Sequence, residues 1–198
     1  MLVLQHRKNI VSFFVILPLF SAPPIAKQAL PILISLLNEF WPPRSHPLER
    51  EGGLYHFWRL KVVSLLGEWG RGELAPVLRH ALEKGWQIEQ VEQIAHKQVW
   101  HAYQDGLVYA LGQLGAFGAI TGFSLPVSRL HLWIVMLACG SLQARTQYGD
   151  LLTQLQINTD LQKAVAQVLE QRFGLSTEEQ QGCLDQYADA YFERIEWK

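Results

Sequence analysis

Charge and cysteine are both scarce in this sequence, and each scarcity excludes a class of function. Only 18% of the 198 residues are charged, and 17 basic residues face 18 acidic ones. Binding to nucleic-acid phosphates needs a concentrated positive field, so no nucleic-acid partner is expected. The low charge content instead predicts contact surfaces beyond those of a solvated monomer.

The two cysteines, Cys139 and Cys183, form no CxxC motif. This excludes a redox dithiol and a zinc knuckle, and two buried free thiols are expected rather than a disulfide. No HxxxH or HxxE pair with a third ligand is present, so no metal site is predicted. The P-loop, the GxGxxG fingerprint and the GxSxG elbow are absent too, and no cofactor is expected.

Residues 1–47 are predicted to form an apolar N-terminal segment that ends in a proline-rich boundary, WPPRSHP, over residues 41–47. A basic start at residues 6–8 and an apolar run over residues 10–20 are typical of a secretory signal, although the cleavage site is poor. Residues 10–37 are also long enough to contact or span a membrane, which takes ~20 apolar residues. Core helices are the third interpretation. Export, membrane association and a cytoplasmic location therefore stay open.

The remaining chain, residues 48–198, is predicted to be one helical domain. Apolar residues recur at helical spacing, and no stretch alternates as a strand would. Predicted helices cover residues 54–69, 73–85 and 87–103, with glycines 85 and 106 as boundaries, and further helices follow. Ser176 and Glu179 form a capping box that starts a last helix over residues 177–196. The fold class is therefore all-α, a compact bundle of about seven to nine helices.

Part of this domain resembles a known family. The matching stretches are RLKVVSLLGEWGRGELAPVLRHALEKG (59–85), an acidic helix start at Glu89 and Glu92, AHKQVWHAY (95–103) and VYALGQL (108–114). This order is similar to that of the carboxymuconolactone decarboxylase and alkylhydroperoxidase-like family. The resemblance implies an alkylhydroperoxidase-like core, a homo-oligomer, and a lyase-type or binding function toward a small organic acid.

The sequence departs from the peroxidase branch of that family. The branch uses CxxC followed by a histidine, and the corresponding positions are about Gly70, Glu73 and Val77. Without a thiolate to attack the peroxide and a thiol to resolve it, thiol peroxidase chemistry is not expected.

A second resemblance leads to a different class of function. LLGEWGRGELAPVLRHALEKG and ALGQLGAFGAITGF both look like HEAT-type helical repeats, and their separation fits the ~40–47-residue period of such repeats. The alternative is therefore a non-enzymatic interaction or scaffold protein, tethered to a membrane if residues 10–37 anchor it.

The predicted helix 87–103 carries the candidate chemistry. At about 100° per residue, one strip roughly 80° wide collects two acids, a histidine and two aromatics, namely Glu89, Glu92, His96, Trp100 and Tyr103. His96 is the candidate general acid or base, and Glu92, one turn earlier, would orient it. The competing interpretation is that the acids only favour a helix N-terminus and that the aromatics pack an oligomer contact.

Four residues are the candidate substrate ligands. Trp100 and Tyr103 would supply an apolar wall and a hydroxyl donor, and Arg59 and Arg79 can bind the carboxylate of an anionic substrate. His101 and Asp105 form a second pair one turn apart, which is expected to be a solvated surface pair.

Overall fold

The described part of the chain is mostly helical, as predicted. The computed structural model describes residues 30–35, 37, 54–69, 72–91, 97–145, 155 and 158–195, and no strand occurs in these ranges. The prediction of an all-α fold is confirmed. The chain divides into two units, Met1–Leu65 and Leu66–Lys198. The proline-rich boundary predicted at residues 41–47 lies outside the described ranges.

The first unit is described at residues 30–35 and 37, which are helical, and over most of helix α1 (Leu54–Glu68), up to Leu65. Leu33 and Leu37 are buried, whereas Ile32 is exposed. In the described part of the chain, no helix combines the length and apolar character that crossing a bilayer would need. Most of the predicted signal or anchor segment lies outside that part.

Five helices follow α1 in the second unit. A 3-10 turn (Gly72–Leu74) leads into α2 (Ala75–Val91), and α3 (Lys97–Gln113) is followed by a second 3-10 turn (Phe117–Ile120). The last three helices are α4 (Val127–Gln143), α5 (Thr159–Phe173) and α6 (Thr177–Ile195).

Helix α4 lies at the centre of this unit. Its residues 132–141 are buried without interruption, and a helix that is buried on all sides belongs in a core. Helices α3, α5 and α6 all pack against it. The contact with α6, two helices further along the chain, is one that both a globular bundle and stacked helix pairs make.

Two glycines let α3 and α4 cross at close range. A Cβ added at Gly140 of α4 would lie 2.1 Å from the carbonyl oxygen of Tyr109 in α3. Reciprocally, a Cβ added at Gly112 of α3 would lie 2.3 Å from the carbonyl oxygen of Leu137 in α4. Each helix therefore needs a glycine where the other helix's backbone touches it.

The ends of α5 and α6 follow the chemistry predicted for them. Gly174 ends α5 in the left-handed region, at φ 65°. The predicted capping box is confirmed, because the Ser176 N–H donates to Glu179 Oε2 at 2.8 Å and the Glu179 N–H donates to Ser176 Oγ at 3.4 Å. Both cysteines are free and buried, as expected.

The two glycine boundaries predicted in the middle of the chain are wrong. Gly85 lies inside α2 and Gly106 lies inside α3. Neither has the positive φ of a helix-ending glycine, which Gly115, Gly122 and Gly174 do have. Gly85 is buried, and a helix can keep a glycine as a small packing residue.

Candidate functional site

The predicted strip of acids, histidine and aromatics is divided between two helices. Glu89 belongs to α2, whereas Trp100 and Tyr103 belong to α3. The prediction of one continuous helix over residues 87–103 is therefore wrong. Glu92 and His96 lie outside the described residues, so the acid/base role predicted for His96 stays a prediction.

The predicted substrate-binding aromatics lie in the core. Trp100 and Tyr103 are both buried, with ring centroids 6.4 Å apart. This position gives them packing contacts within the helical domain, and their predicted role as a substrate wall stays a prediction. Arg59 lies in α1, and its side chain is outside the described part of the structure.

Arg79, the other predicted carboxylate ligand, fastens a turn to α2. Its Nε donates to Glu83 Oε1 at 2.8 Å, while Nη1 and Nη2 donate to the carbonyl oxygens of Gly118 and Thr121 at 3.1 and 3.0 Å. The last two contacts hold the second 3-10 turn against the helix. Arg79 thus has a structural role in the observed conformation.

The structure reveals a polar cluster between α2 and α3 that the sequence does not predict. Glu89 Oε1 lies 2.7 Å from His101 Nε2, and Glu89 Oε2 accepts a hydrogen bond from Gln104 Nε2 at 3.1 Å. His101 is 34% exposed and Glu89 only 12%. A histidine–carboxylate pair is present, but it joins residues twelve positions apart on two helices.

The buried end of this cluster reaches α4. Asp105 is 3% exposed; it accepts a hydrogen bond from Trp133 Nε1 at 3.1 Å and lies 3.0 Å from Arg129 Nη2. Arg129 also donates to Gln104 Oε1 at 3.0 Å and stacks on the Trp133 ring. The prediction that His101 and Asp105 form a solvated surface pair is wrong, because each has its partner on another helix.

The cluster is close to charge balance. Burial raises the pKa of Glu89, but hydrogen bonds from His101 and Gln104 and electrostatic attraction to His101 and Arg129 outweigh it, so the pKa lies below its ordinary value of 4.5. Two carboxylates thus face one guanidinium and one imidazole. Such a satisfied network fastens three helices together and gives an anionic ligand little net attraction.

A cleft of about 440 Å³ lies at the other end of α3. It is formed where three helices end, at the C-termini of α3, α4 and α5, together with the second 3-10 turn. None of the described residues that line it is acidic. Its lining residues are Gln113, Leu114, Gly115, Phe117, Ser141, Ala144, Arg145 and Arg172.

Two arginines give this cleft its charge. Arg145 donates from Nε to the Ser141 carbonyl oxygen at 3.2 Å and from Nη2 to the Ser141 hydroxyl. Arg172 stacks on the ring of Phe117, with Cζ 5.3 Å from the ring centroid. Phe117 in turn meets the edge of Phe173 at 5.8 Å. We call this site, lined by the residues above, the arginine cleft.

Sequence reasoning missed the arginine cleft because its residues come from separate helix ends. Arg145 and Arg172 each sit where a helix stops, and there a basic side chain is ordinarily explained by the helix dipole. The one usable signal was a glycine or an arginine within two residues of the end of each of three helices, at Gly115, Arg145 and Arg172. Within the described ranges, no three His, Cys, Asp or Glu side chains are arranged to hold a metal ion.

No family model, curated protein or solved structure matches the chain. The resemblance to carboxymuconolactone decarboxylases therefore stays a prediction.

Proposed function

We propose that the helical domain binds a small organic acid, and that the arginine cleft holds it. One observation carries the proposal: two guanidinium groups, those of Arg145 and Arg172, come from the ends of two different helices to one cleft of about 440 Å³, and none of its described lining residues is acidic. A volume of this size is within the range of small-molecule sites. The small organic acid is also the ligand class implied by the family resemblance.

Both arginines have donors to offer. Arg145 uses two of its five N–H groups on Ser141, and the other three have no hydrogen-bond partner among the described residues. Arg172 makes a stacking contact with Phe117 and no hydrogen bond within the same ranges. A guanidinium fork matches the two oxygens of a carboxylate, which makes this anion a suitable ligand.

The polar cluster around Glu89 and His101 suits an acid less well. Its carboxylates equal or outnumber its cations, so a bound anion would be repelled by Glu89 and Asp105. Arg129, its strongest cation, already pairs with Asp105 and Gln104. Charge therefore favours the arginine cleft as the binding site.

Other elements of the prediction have less support. General acid/base chemistry at His96, oriented by Glu92, would add catalysis to binding, but neither residue lies in the described part. The alternative of a HEAT-like scaffold stays a prediction, because the contacts of α4 with α3, α5 and α6 also occur between stacked helix pairs. A homo-oligomer and membrane contact through residues 10–37 stay predictions.

The expected affinity is modest because both arginines are exposed to solvent. An acid of about ten heavy atoms that gains about 0.4 kcal/mol per atom would bind with about −4 kcal/mol, a Kd on the order of 1 mM. Salt should weaken binding, since exposed charges are screened over ~8–10 Å at physiological ionic strength.

An NMR titration of the ¹⁵N-labelled full chain with phenylacetate tests the proposal. Arg145→Gln and Arg172→Gln should each raise the Kd about tenfold, which corresponds to one charge-assisted hydrogen bond of about 1.4 kcal/mol. Lys163→Gln is the matched control. It removes one positive charge from α5, the helix of Arg172, at a side chain that is 75% exposed and 3.9 Å from Asp160.

The Lys163→Gln variant should bind phenylacetate as the unmodified chain does. Urea unfolding of each variant shows whether the fold is intact. The proposal fails if the unmodified chain binds no small acid at about 10 mM, ten times the expected Kd. It also fails if both arginine variants keep full affinity.

A further inference from the structure

The ligand class of the arginine cleft can be narrowed. We infer that the cleft selects a monocarboxylate attached to an apolar body, such as an aryl or short alkyl acid, over a dicarboxylate or a phosphate. This inference rests on the proposed function. Two properties of the cleft carry it: the charge contributed by the helix ends, and the presence of apolar residues beside the polar ones in its lining.

Three helix C-termini converge on the cleft. Helix α3 ends at Gln113, α4 at Gln143 and α5 at Phe173, and cleft residues lie within two positions of each end. Each helix C-terminus is equivalent to roughly −0.5 charge within its last turn. Three ends together contribute about −1.5, against the charge of +2 on the two arginines.

The net charge that remains suits a single negative charge. Phosphate sites in proteins are typically built on helix N-termini, whose N–H groups donate to the anion. The arginine cleft has the opposite polarity, because helix carbonyls lie at its wall. Because the arginines and the helix ends together leave only about half a positive charge, a second negative charge on the ligand would gain too little attraction to offset the hydration that it loses.

The lining also includes apolar residues. Leu114, Phe117 and Ala144 offer carbon surface, while Ser141, Arg145 and Arg172 offer polar groups. The ring of Phe117 is held in place by the edge of Phe173 and by the guanidinium of Arg172. An acid whose carboxylate meets the arginines can therefore lay its hydrocarbon part on an ordered aromatic surface.

Separate titrations with four probes at the same ionic strength test the inference. NMR titrations of the full chain with phenylacetate, hexanoate, succinate and inorganic phosphate give four Kd values. The two apolar monocarboxylates should bind at least about tenfold more tightly than succinate or phosphate. Burial of about two methylene groups against Phe117 and Leu114 is enough for that difference.

Two variants locate the hydrocarbon part. Phe117→Leu removes the ring but keeps an apolar side chain, and it should weaken phenylacetate about fivefold while leaving phosphate unchanged. Leu114→Asn replaces a half-buried apolar residue of the lining by a polar one and should weaken the binding of both apolar acids. Urea unfolding identifies a variant that has lost its fold, and the other variant then provides the test.

The outcomes separate the inference from the function. Succinate or phosphate binding as tightly as phenylacetate would overturn the inference and leave acid binding intact. Full phenylacetate affinity in folded Phe117→Leu and Leu114→Asn would overturn it as well. If none of the four probes binds, the proposed function and the inference both fail.

Discussion

Replacement of Gly140 by alanine is the sharpest stability prediction that the structure offers. The new methyl group would lie 2.1 Å from the Tyr109 carbonyl oxygen, 3.0 Å from the Gln113 nitrogen and 3.1 Å from the Tyr109 carbonyl carbon. All three atoms belong to the backbone of α3. No side-chain rotation can relieve the contact, so α3 and α4 must move apart.

The size of the loss follows from two opposing effects. A normal carbon–oxygen contact requires roughly 1 Å more space, and a gap of 0.5–1 Å forfeits about a quarter to a half of the attraction between the atoms along the interface. Overpacking of this kind costs about 3 kcal/mol at the upper end of its usual range. Alanine regains about 1 kcal/mol over glycine in a helix, which leaves a net loss of about 2 kcal/mol.

Urea unfolding followed by circular dichroism measures this loss. With an m-value of about 2 kcal/mol per molar urea, the midpoint should fall by about 1 M. Gly182→Ala in α6 is the matched control. A Cβ there would lie 3.4 Å from the His131 ring, an ordinary contact, so the same substitution should stabilise the protein by up to about 1 kcal/mol.

A Gly140→Ala midpoint at or above that of the unmodified chain would refute the close crossing of α3 and α4. A loss in both variants would instead show that the effect does not depend on the contact with Tyr109.

Three further predictions concern protonation, capping and thiol reactivity. The pKa of Glu89 is lower in the folded state, so its contribution to stability is complete above its unfolded pKa of about 4.5 and is lost as the pH falls through the lower folded value. Between about pH 6 and pH 3, the urea midpoint of Glu89→Gln should therefore fall less steeply than that of the unmodified chain. Parallel curves would contradict this. Ser176→Ala removes the capping hydroxyl from Glu179 and should lower the unfolding free energy by about 1 kcal/mol, a loss that a glycine at the same position should largely avoid. Burial raises the pKa of Cys139 to about 12, and burial together with the Glu179 charge raises the pKa of Cys183 to about 11. A disulfide reagent at pH 8 should therefore label both thiols at least ~100-fold more slowly in the folded protein than in urea. Fast labelling of the folded protein would disprove their burial.

Local sequence patterns predicted the helical elements well where short-range chemistry decides them. The capping box at Ser176 and Glu179 needs only four consecutive residues, and it marks the beginning of α6 correctly. The glycines at 85 and 106 were misassigned for a physical reason. A glycine that ends a helix and a glycine that packs inside one are the same letter in the sequence, and only the backbone φ and the neighbouring helix distinguish them.

The candidate site was harder to predict because its contacts span long separations in sequence. Glu89 and His101 meet although they lie on α2 and α3, whereas the sequence argument considered pairs one helical turn apart. The arginine cleft joins Gln113 to Arg172 across three helix ends. Such groupings depend on the crossing of α3 and α4, which glycine spacing alone does not reveal.

The three features described above follow one another along α3. The polar cluster uses residues 101–105, the close crossing uses residues 109–112, and the arginine cleft begins at Gln113, ~18 Å from His101 at a rise of 1.5 Å per residue. The cluster anchors the first half of α3 to α2 and α4. The crossing then fixes the distance between the backbones of α3 and α4 immediately before the cleft opens.

This order gives the glycine crossing a role in binding as well as in packing. Ser141 directly follows Gly140, and Arg145 lies just over one helical turn beyond it, so the backbone distance at the crossing sets where both groups stand relative to Leu114. If the two helices moved roughly 1 Å further apart, a guanidinium would leave hydrogen-bond range of a carboxylate held beside Leu114. Such hydrogen bonds tolerate changes of only a few tenths of an ångström in length. The close packing that makes Gly140 intolerant of a methyl group is therefore the same constraint that positions one arginine of the cleft.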